Sequence, residues 1–166
     1  MTQTRKQKSA KQPIAVAVFR DGPVEGEVVI CDTTNHRIEI KATFSKLPPG
    51  KHGFHIHTAG DLRGEGCKGL CQHYHVGSSA NHGDAPKKGS YRQRHTGDLG
   101  NIESTSSGHF TKTYIVSGTS VKDLWGRSLI VHTDEDDLGY GDFDDSKTTG
   151  HSGARMACAI LGRGFL

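Results

Sequence analysis

The sequence predicts an all-β domain, built as a β-sandwich or flattened barrel of about eight antiparallel strands. Short runs in which apolar and polar residues alternate recur along the chain, and no stretch shows a convincing 3.6-residue period. Gly supplies 22 of the 166 residues, so the chain turns often. Aromatic residues make up only 7%, which allows a modest core and argues against a long helical bundle.

The clearest strand is predicted at residues 37–44, where apolar side chains fall on one face and mostly charged side chains on the other. Similar patterns predict strands at 14–19, 24–30, 53–57, 109–116, 127–133 and 154–162, with an eighth near 99–104. The tripeptide DGP at 21–23 predicts a hairpin turn between the first two strands, and PPG at 48–50 precedes the strand at 53–57. Short antiparallel strands at such spacing are typical of a sandwich or barrel.

Charge separates a basic tail from a nearly neutral domain. Residues 1–12 hold four basic residues and no acid, whereas the other 154 residues carry 17 basic and 18 acidic ones. We therefore predict a disordered, solubilising tail at 1–12 and one domain at 13–166; the alternative for the tail is a weak electrostatic arm. The domain lacks the interleaved basic and aromatic residues of a nucleic-acid-binding surface.

The chain is expected to be cytoplasmic and without a membrane partner. Its apolar run at 13–19 is too short for a signal peptide and lacks a small-residue cleavage site. No run approaches the roughly 20 apolar residues needed to span a bilayer.

Histidine, present 11 times, points to metal. His55 and His57 are two residues apart on a predicted strand and so share a face, and His132 ends another strand. Three imidazoles could converge there on copper or zinc. An HxH pair alone is more often an ordinary surface pair, so the prediction of a metal site depends on the other histidines.

Two long segments, 59–97 and 134–153, lack a strand pattern, and loops of that length are usually functional or disordered. The first contains His73, His82 and His95, and Asp98 follows it. Three imidazoles and one carboxylate would close a tetrahedral zinc site without room for substrate. Such an ion could hold a Gly-rich loop in one shape where no core exists to do so.

Five separated motifs resemble, in their order, the copper/zinc superoxide dismutase family: GFHIH, GCKGLCQH, HTGDLGN, LIVH and GARMACAILG. The resemblance covers residues 14–162. It implies an eight-stranded Greek-key β-sandwich with two long functional loops. It also implies an enzyme that converts superoxide to dioxygen and hydrogen peroxide.

The resemblance further implies one copper and one zinc per subunit. The copper ligands would be His55, His57, His73 and His132, and the zinc ligands His73, His82, His95 and Asp98. His73 would thus bridge the ions and also carry a proton. Arg155 would attract and orient superoxide, Asp136 would link His55 to His82, Thr149 would narrow the channel, and Cys67 and Cys158 would form a disulfide.

Several positions depart from the family pattern. After His73 the chain continues with Tyr74-His75-Val76, where relatives have an aromatic residue, Asn and Pro, so His75 is a rival ligand. Tyr140 stands where many relatives have a lysine, which weakens anion steering although Lys147 remains. Cys71 competes with Cys67 for the disulfide, and the segment 82–95 is longer than usual and contains the basic residues Lys87, Lys88, Arg92 and Arg94.

Other functions fit the sequence less well than dismutation. A catalytically silent, metal-binding relative is the main alternative, and a zinc hydrolase is poorer because no general base accompanies an open zinc position. GEGCKG at 64–69 matches G-x-G-x-x-G but opens no helix, and the acidic stretch 134–145 is a poor calcium loop because Leu138 takes a ligand position.

Partners are expected from the same resemblance. A homodimer is predicted through an apolar patch that includes Trp125, although Arg163 adds charge there and Trp125 is alternatively a core residue. A copper chaperone is a possible partner, and Ala154 and Met156 beside Arg155, in place of prolines, predict less dependence on it.

Overall fold

The computed structural model describes residues 12–20, 22–78, 80–86 and 94–166, and nearly all regular structure within them is β. The predicted tail apart from residue 12, Asp21 of the first turn, and Lys87, Lys88 and Arg92 lie outside the described residues. The strands are β1 (Pro13–Phe19), β2 (Glu25–Thr33), β3 (Arg37–Lys46), β4 (Gly50–His57), β5 (Asp98–Ser104), β6 (Phe110–Ser117), β7 (Ser128–His132), β8 (Arg155–Ile160) and β9 (Gly162–Phe165). A 3₁₀ helix (Gly66–Leu70) and two single-turn helices, α1 (Val121–Leu124) and α2 (Ser146–Thr149), complete them.

The strands form two antiparallel sheets, ordered β6-β3-β2-β1-β9 and β5-β4-β7-β8. In the first sheet β1, β2 and β3 are consecutive neighbours, whereas β6 beside β3 and β9 beside β1 each enter from strands of the other sheet. Such crossing of the chain between the two sheets is typical of a Greek-key sandwich. The all-β sandwich prediction is therefore confirmed. Among the described residues, no helix combines the length and apolar character needed to cross a bilayer.

The strand predicted at 154–162 is really two strands in different sheets. β8 pairs with β7, whereas β9 pairs with β1. The break falls at Leu161, whose N–H and carbonyl bond to Arg127 and Gly126 of the loop before β7 instead of continuing the ladder. The apolar pattern continues through this point because Leu161 is itself buried, so periodicity could not reveal the change of sheet.

The core lies between the sheets and follows the alternation seen in β3. Ile38, Ile40, Ala42 and Phe44 of that strand are at most 1% exposed. Phe44 contacts three other aromatic rings, Phe19, Phe54 and Phe110, at centroid distances of 5.5, 5.8 and 6.3 Å. A few well-packed rings thus fill the centre of a sandwich whose aromatic content is low.

A disulfide between Cys67 and Cys158 joins the 3₁₀ helix to β8, with the Cα atoms 5.9 Å apart. The predicted pairing is confirmed, and Cys71, the predicted competitor, is free and exposed. The bridge joins residues 91 positions apart, and it fixes the start of the long β4–β5 loop to the sheet.

Replacing both Cys67 and Cys158 by Ser is expected to lower the free energy of unfolding by about 4 kcal/mol, because the bridge removes much of the entropy of a long unfolded loop. Urea unfolding of the metal-free protein measures this loss. Cys31→Ser is the control, since Cys31 forms no bridge. A double variant as stable as this control would show that the disulfide contributes little.

Candidate metal centre

The site is built where the long β4–β5 loop attaches to the end of β4. The Ile56 N–H donates to the Gly97 carbonyl (2.9 Å), and the Ile56 carbonyl accepts the Tyr74 N–H (2.8 Å). Tyr74 and Gly97 are themselves joined by a 2.8 Å hydrogen bond, and His73 forms an isolated bridge with His57. Both arms of the loop are therefore fixed around the HxH pair.

Four histidines form a buried cluster, called here the four-histidine cluster: His55, His57, His73 and His132. Each offers one ring nitrogen without a hydrogen-bond partner, namely Nδ1 of His55 and Nε2 of the other three. Within the described part of the chain, the Tyr114 hydroxyl is the only other buried side-chain atom in that condition. One potential ligand atom of each histidine lies within 4.8 Å of the others. Orphaned polar atoms that converge in this way fit a metal ion.

The opposite nitrogen of each ring is held by a partner. His55 Nε2 contacts Asp136 Oδ2 at 2.7 Å, and His57 Nδ1 contacts the Cys71 carbonyl at 2.9 Å. His132 Nδ1 lies 3.3 Å from the Gly153 carbonyl. Such outer contacts orient the rings and leave the inner nitrogens available as ligands.

A second group, the Asp98 cluster, consists of His73, His82, His95 and Asp98. The Nδ1 atoms of the three histidines lie 2.8, 3.1 and 3.3 Å from Asp98 Oδ1, and those of His73 and His82 are 3.3 Å apart. Ligand atoms around tetrahedral zinc, bound at about 2.0 Å, are separated by about 3.3 Å. The spacing therefore fits zinc, and His73 belongs to both clusters.

Asp98 is oriented by the backbone of the loop. Its Oδ2 accepts the N–H groups of Gly83 (3.0 Å) and His95 (2.9 Å), so Oδ1 faces the three imidazoles. Arg94, which the sequence placed in a basic run, donates to the carbonyls of His95 and Asp98 at 2.8 and 2.6 Å. Arg94 therefore supports the loop instead of presenting charge to a partner.

Asp136 connects the two clusters. It is 1% exposed, and its two oxygens lie 2.7 Å from His55 Nε2 and 2.7 Å from His82 Nε2, as the family resemblance implied. Asn101 holds its backbone through two 2.8 Å hydrogen bonds. At Gly150, a Cβ would lie 2.1 Å from Asp136 Oδ1.

Asn101 and Gly150 are site residues that were not predicted from the sequence. Asn101 closes the HTGDLGN motif, which gave a usable signal. Nothing in the sequence distinguishes Gly150 from the other glycines of the second loop, residues 134–153.

Burial keeps the four-histidine cluster uncharged. It lowers the pKa of His55 well below the usual value, that of His57 to about 2 and that of His132 to about 4. Burial also disfavours charge on His82, but hydrogen bonds to Asp136 and Asp98 outweigh it and raise the pKa of His82 to about 9. Neutral imidazole is the form that ligates metals, so one cluster is ready to bind while the other must release a proton.

Arg155 is fixed at the edge of the four-histidine cluster. It pairs with His132 across β7 and β8, and its guanidinium donates to the carbonyls of Cys67 (2.7 Å), Lys68 (3.0 Å) and Cys71. The Cys71 carbonyl also accepts the His57 ring N–H, so a single peptide group positions both. Beside Arg155 lies a pocket of about 400 Å³.

Thr149 ends α2 and is exposed. Its hydroxyl lies within hydrogen-bond distance of Asp145 Oδ2 (3.1 Å) and of the Asp145 carbonyl (3.2 Å). It does not line the pocket beside Arg155. Lys147 likewise does not line this pocket, because its amine donates to the Gly139 carbonyl.

The histidines outside the two predicted ligand sets make other contacts or are exposed to solvent. His75 accepts the Thr96 N–H at Nδ1 (3.2 Å) and contacts the Ser78 carbonyl through Nε2 (2.6 Å), which places it outside both clusters. His52 lies between the carbonyls of Pro48 and His132, and His151 binds Asp145. His36 and His109 are exposed.

Trp125 is partly buried against the core, and its indole N–H donates to the Ile14 carbonyl at 3.0 Å. Arg163 covers the ring at 4.8 Å. These contacts favour the core interpretation of Trp125.

Comparisons with known proteins agree on one family. The family model described as copper/zinc superoxide dismutase matches residues 24–161. The Cu-Zn superoxide dismutase of Paramecium bursaria Chlorella virus 1 is 34% identical over 98% of this chain and 85% of its own length. The extracellular Cu-Zn enzyme of Drosophila melanogaster is 36% identical over 90% and 86%.

Two further similarities broaden the comparison. The copper chaperone for superoxide dismutase of Rattus norvegicus is 39% identical over 90% of this chain, which spans only 53% of the chaperone. The crystal structure of the clock protein EA4 superposes with a TM-score of 0.76 at 28% identity, covering 96% of this chain and 99% of that one.

Cys71 has a backbone conformation, φ 60° and ψ −150°, that is essentially restricted to glycine. Cys71→Gly is therefore expected to raise the free energy of unfolding by about 1 to 3 kcal/mol. Cys71→Ala removes the thiol but keeps the Cβ, so it should give no such gain. Thermal unfolding of both variants measures the difference. Equal stability of the two would refute the backbone explanation.

Proposed function

The chain belongs to the copper/zinc superoxide dismutase family, and from this premise we propose that it dismutates superoxide to dioxygen and hydrogen peroxide. The observation that carries the proposal is the set of four buried, unpartnered ring nitrogens beside a fixed arginine. A silent family member would not need both features together.

We assign copper to the four-histidine cluster and zinc to the Asp98 cluster. Imidazole nitrogens suit both ions, but only the Asp98 cluster offers three imidazoles and a carboxylate at tetrahedral spacing. Bound copper would supply one-electron redox chemistry, taking an electron from one superoxide and giving an electron to the next.

The residues of the chain have separable tasks. Arg155 places a permanent positive charge at the pocket and orients the anion toward the cluster. His73 Nε2 can alternate between ligating and carrying a proton, because Nδ1 of the same ring is held in the Asp98 cluster. Asp136 keeps His55 and His82 in their tautomers by accepting from Nε2 of each.

A second candidate is a metal-binding protein without dismutase activity. It is favoured by the similarity to copper chaperones for superoxide dismutase. The enzyme is supported instead by Arg155 and by the presence of a ligating side chain at every predicted ligand position. A homodimer, a cytoplasmic location and a limited need for a copper chaperone stay predictions of the sequence.

The proposal is tested by measuring superoxide loss with protein loaded with copper and zinc, with zinc alone, and without metal. Only the copper-containing form should be active, and cyanide should inhibit it by binding copper. His57→Gln should lose copper and at least about tenfold of the activity, because it removes one of four ligands. His75→Gln is the matched control, since His75 lies outside both clusters. Equal activity in loaded and metal-free protein would refute the proposal.

Arg155→Ala is expected to lower the second-order rate constant about tenfold or more, because the charge that attracts the anion is lost. Copper content should not change. Arg155→Lys keeps the charge and should retain part of the rate. This variant distinguishes loss of the charge from loss of the hydrogen bonds to the three carbonyls. Pulse radiolysis at low ionic strength measures all three proteins. An unchanged rate for Arg155→Ala would remove this role.

A further inference from the structure

Two charged side chains border the pocket in front of Arg155. Glu65 and Lys68 line it, together with Cys67, Gly153 and Ala154. Glu65, Lys68 and Arg155 are therefore its charged residues. The steering charges predicted from the sequence are Arg155 and Lys147, and no role was predicted for Glu65 or Lys68.

Lys68 is held close to Arg155 by the backbone. Its carbonyl accepts a hydrogen bond from Arg155 Nη1 at 3.0 Å, and the preceding residue, Cys67, is joined to β8 by the disulfide. Its amine forms an ion pair with Glu65, three residues earlier, and both side chains are more than 70% exposed. The pair is fixed at its base, while its charges stay in solvent at the rim.

The lysines near the second loop are engaged elsewhere. Lys147 donates to the Gly139 carbonyl, and Lys51 pairs with Glu135 at 2.8 Å. Neither lysine lines the pocket.

We propose that Lys68 is a second anion-attracting residue of the pocket and that Glu65 limits its effect. The ligand class is a small anion, and superoxide is the anion concerned if the proposed function holds. The Glu65–Lys68 pair carries no net charge, so the field at the rim depends on both partners. Neutralising one partner changes the local charge by one unit, in opposite directions for the two residues.

The expected effect is modest but has a definite sign. Two unit charges about 10 Å apart in water alter an equilibrium or encounter rate on the order of twofold. The effect should fade above physiological salt, where the Debye length is shorter than about 8 Å. Lys68→Gln should lower the rate constant for encounter with the anion about twofold, and Glu65→Gln should raise it about twofold. The double variant should have the rate constant of the wild type.

The first measurement is the rate constant for superoxide loss with the copper- and zinc-loaded protein at several ionic strengths. The matched controls are Glu25→Gln and Lys46→Gln. These residues form another exposed Glu–Lys pair (3.1 Å), but they lie on β2 and β3, in the sheet that does not contain Arg155. Their variants change the net charge equally and should leave the rate within error of the wild type.

The second measurement does not depend on dismutase activity. Cys71 is an exposed thiol whose carbonyl contacts Arg155, so it reports on the field beside the pocket. In a Cys31→Ser background, its reaction rate with the anionic reagent dithiobis(nitrobenzoate) is divided by its rate with neutral dithiodipyridine. This ratio should fall for Lys68→Gln and rise for Glu65→Gln.

The outcomes separate this inference from the proposed function. An inactive loaded protein whose thiol ratio shifts as expected would refute dismutation and keep the charge assignment. An active protein would overturn the assignment if the Glu65 and Lys68 variants matched the controls. It would also be overturned if both variants changed in the same direction, because that indicates a disturbed loop.

Discussion

The attachment of the long loop to Ile56 is the interaction on which both clusters depend. Ile56 lies between His55 and His57, and its two backbone groups hold one arm of the loop through Tyr74 and the other through Gly97. The approach is close, since a Cβ on Gly97 would lie 2.4 Å from the Ile56 carbonyl oxygen. The strand thus supplies two histidines directly and fixes the position of the neighbouring ligands by its hydrogen bonds.

The sequence predicted those parts of the molecule that obey a local rule. Alternation in β3 gave its buried face, and the HxH spacing placed two imidazoles on one side of a strand. The resemblance extended this to ligands far apart in the chain, which no local rule can bring together. The pairing of Cys67 with Cys158 was likewise predicted from the resemblance, because the two residues are 91 positions apart.

What was missed depends on three-dimensional context. The change of sheet at Leu161 leaves the apolar pattern intact, because the residue is buried in either arrangement. The role of Cys71 lies in its peptide carbonyl, which side-chain identity does not report. In the sequence Arg94 is only one member of a basic run, yet its guanidinium supports the Asp98 cluster by donating to carbonyl oxygens.

The contacts of His82 have a thermodynamic consequence for the whole site. Its ring belongs to the Asp98 cluster and contacts Asp136, while its N–H donates to the Lys147 carbonyl of the second loop at 2.8 Å. Ordering one loop therefore lowers the entropic cost of ordering the other. Coupling of this kind is reciprocal by linkage, so a metal ion bound in one cluster would change the affinity of the other by the same factor in both directions. The affinity of each cluster would then depend on the order of both loops as well as on its own ligands.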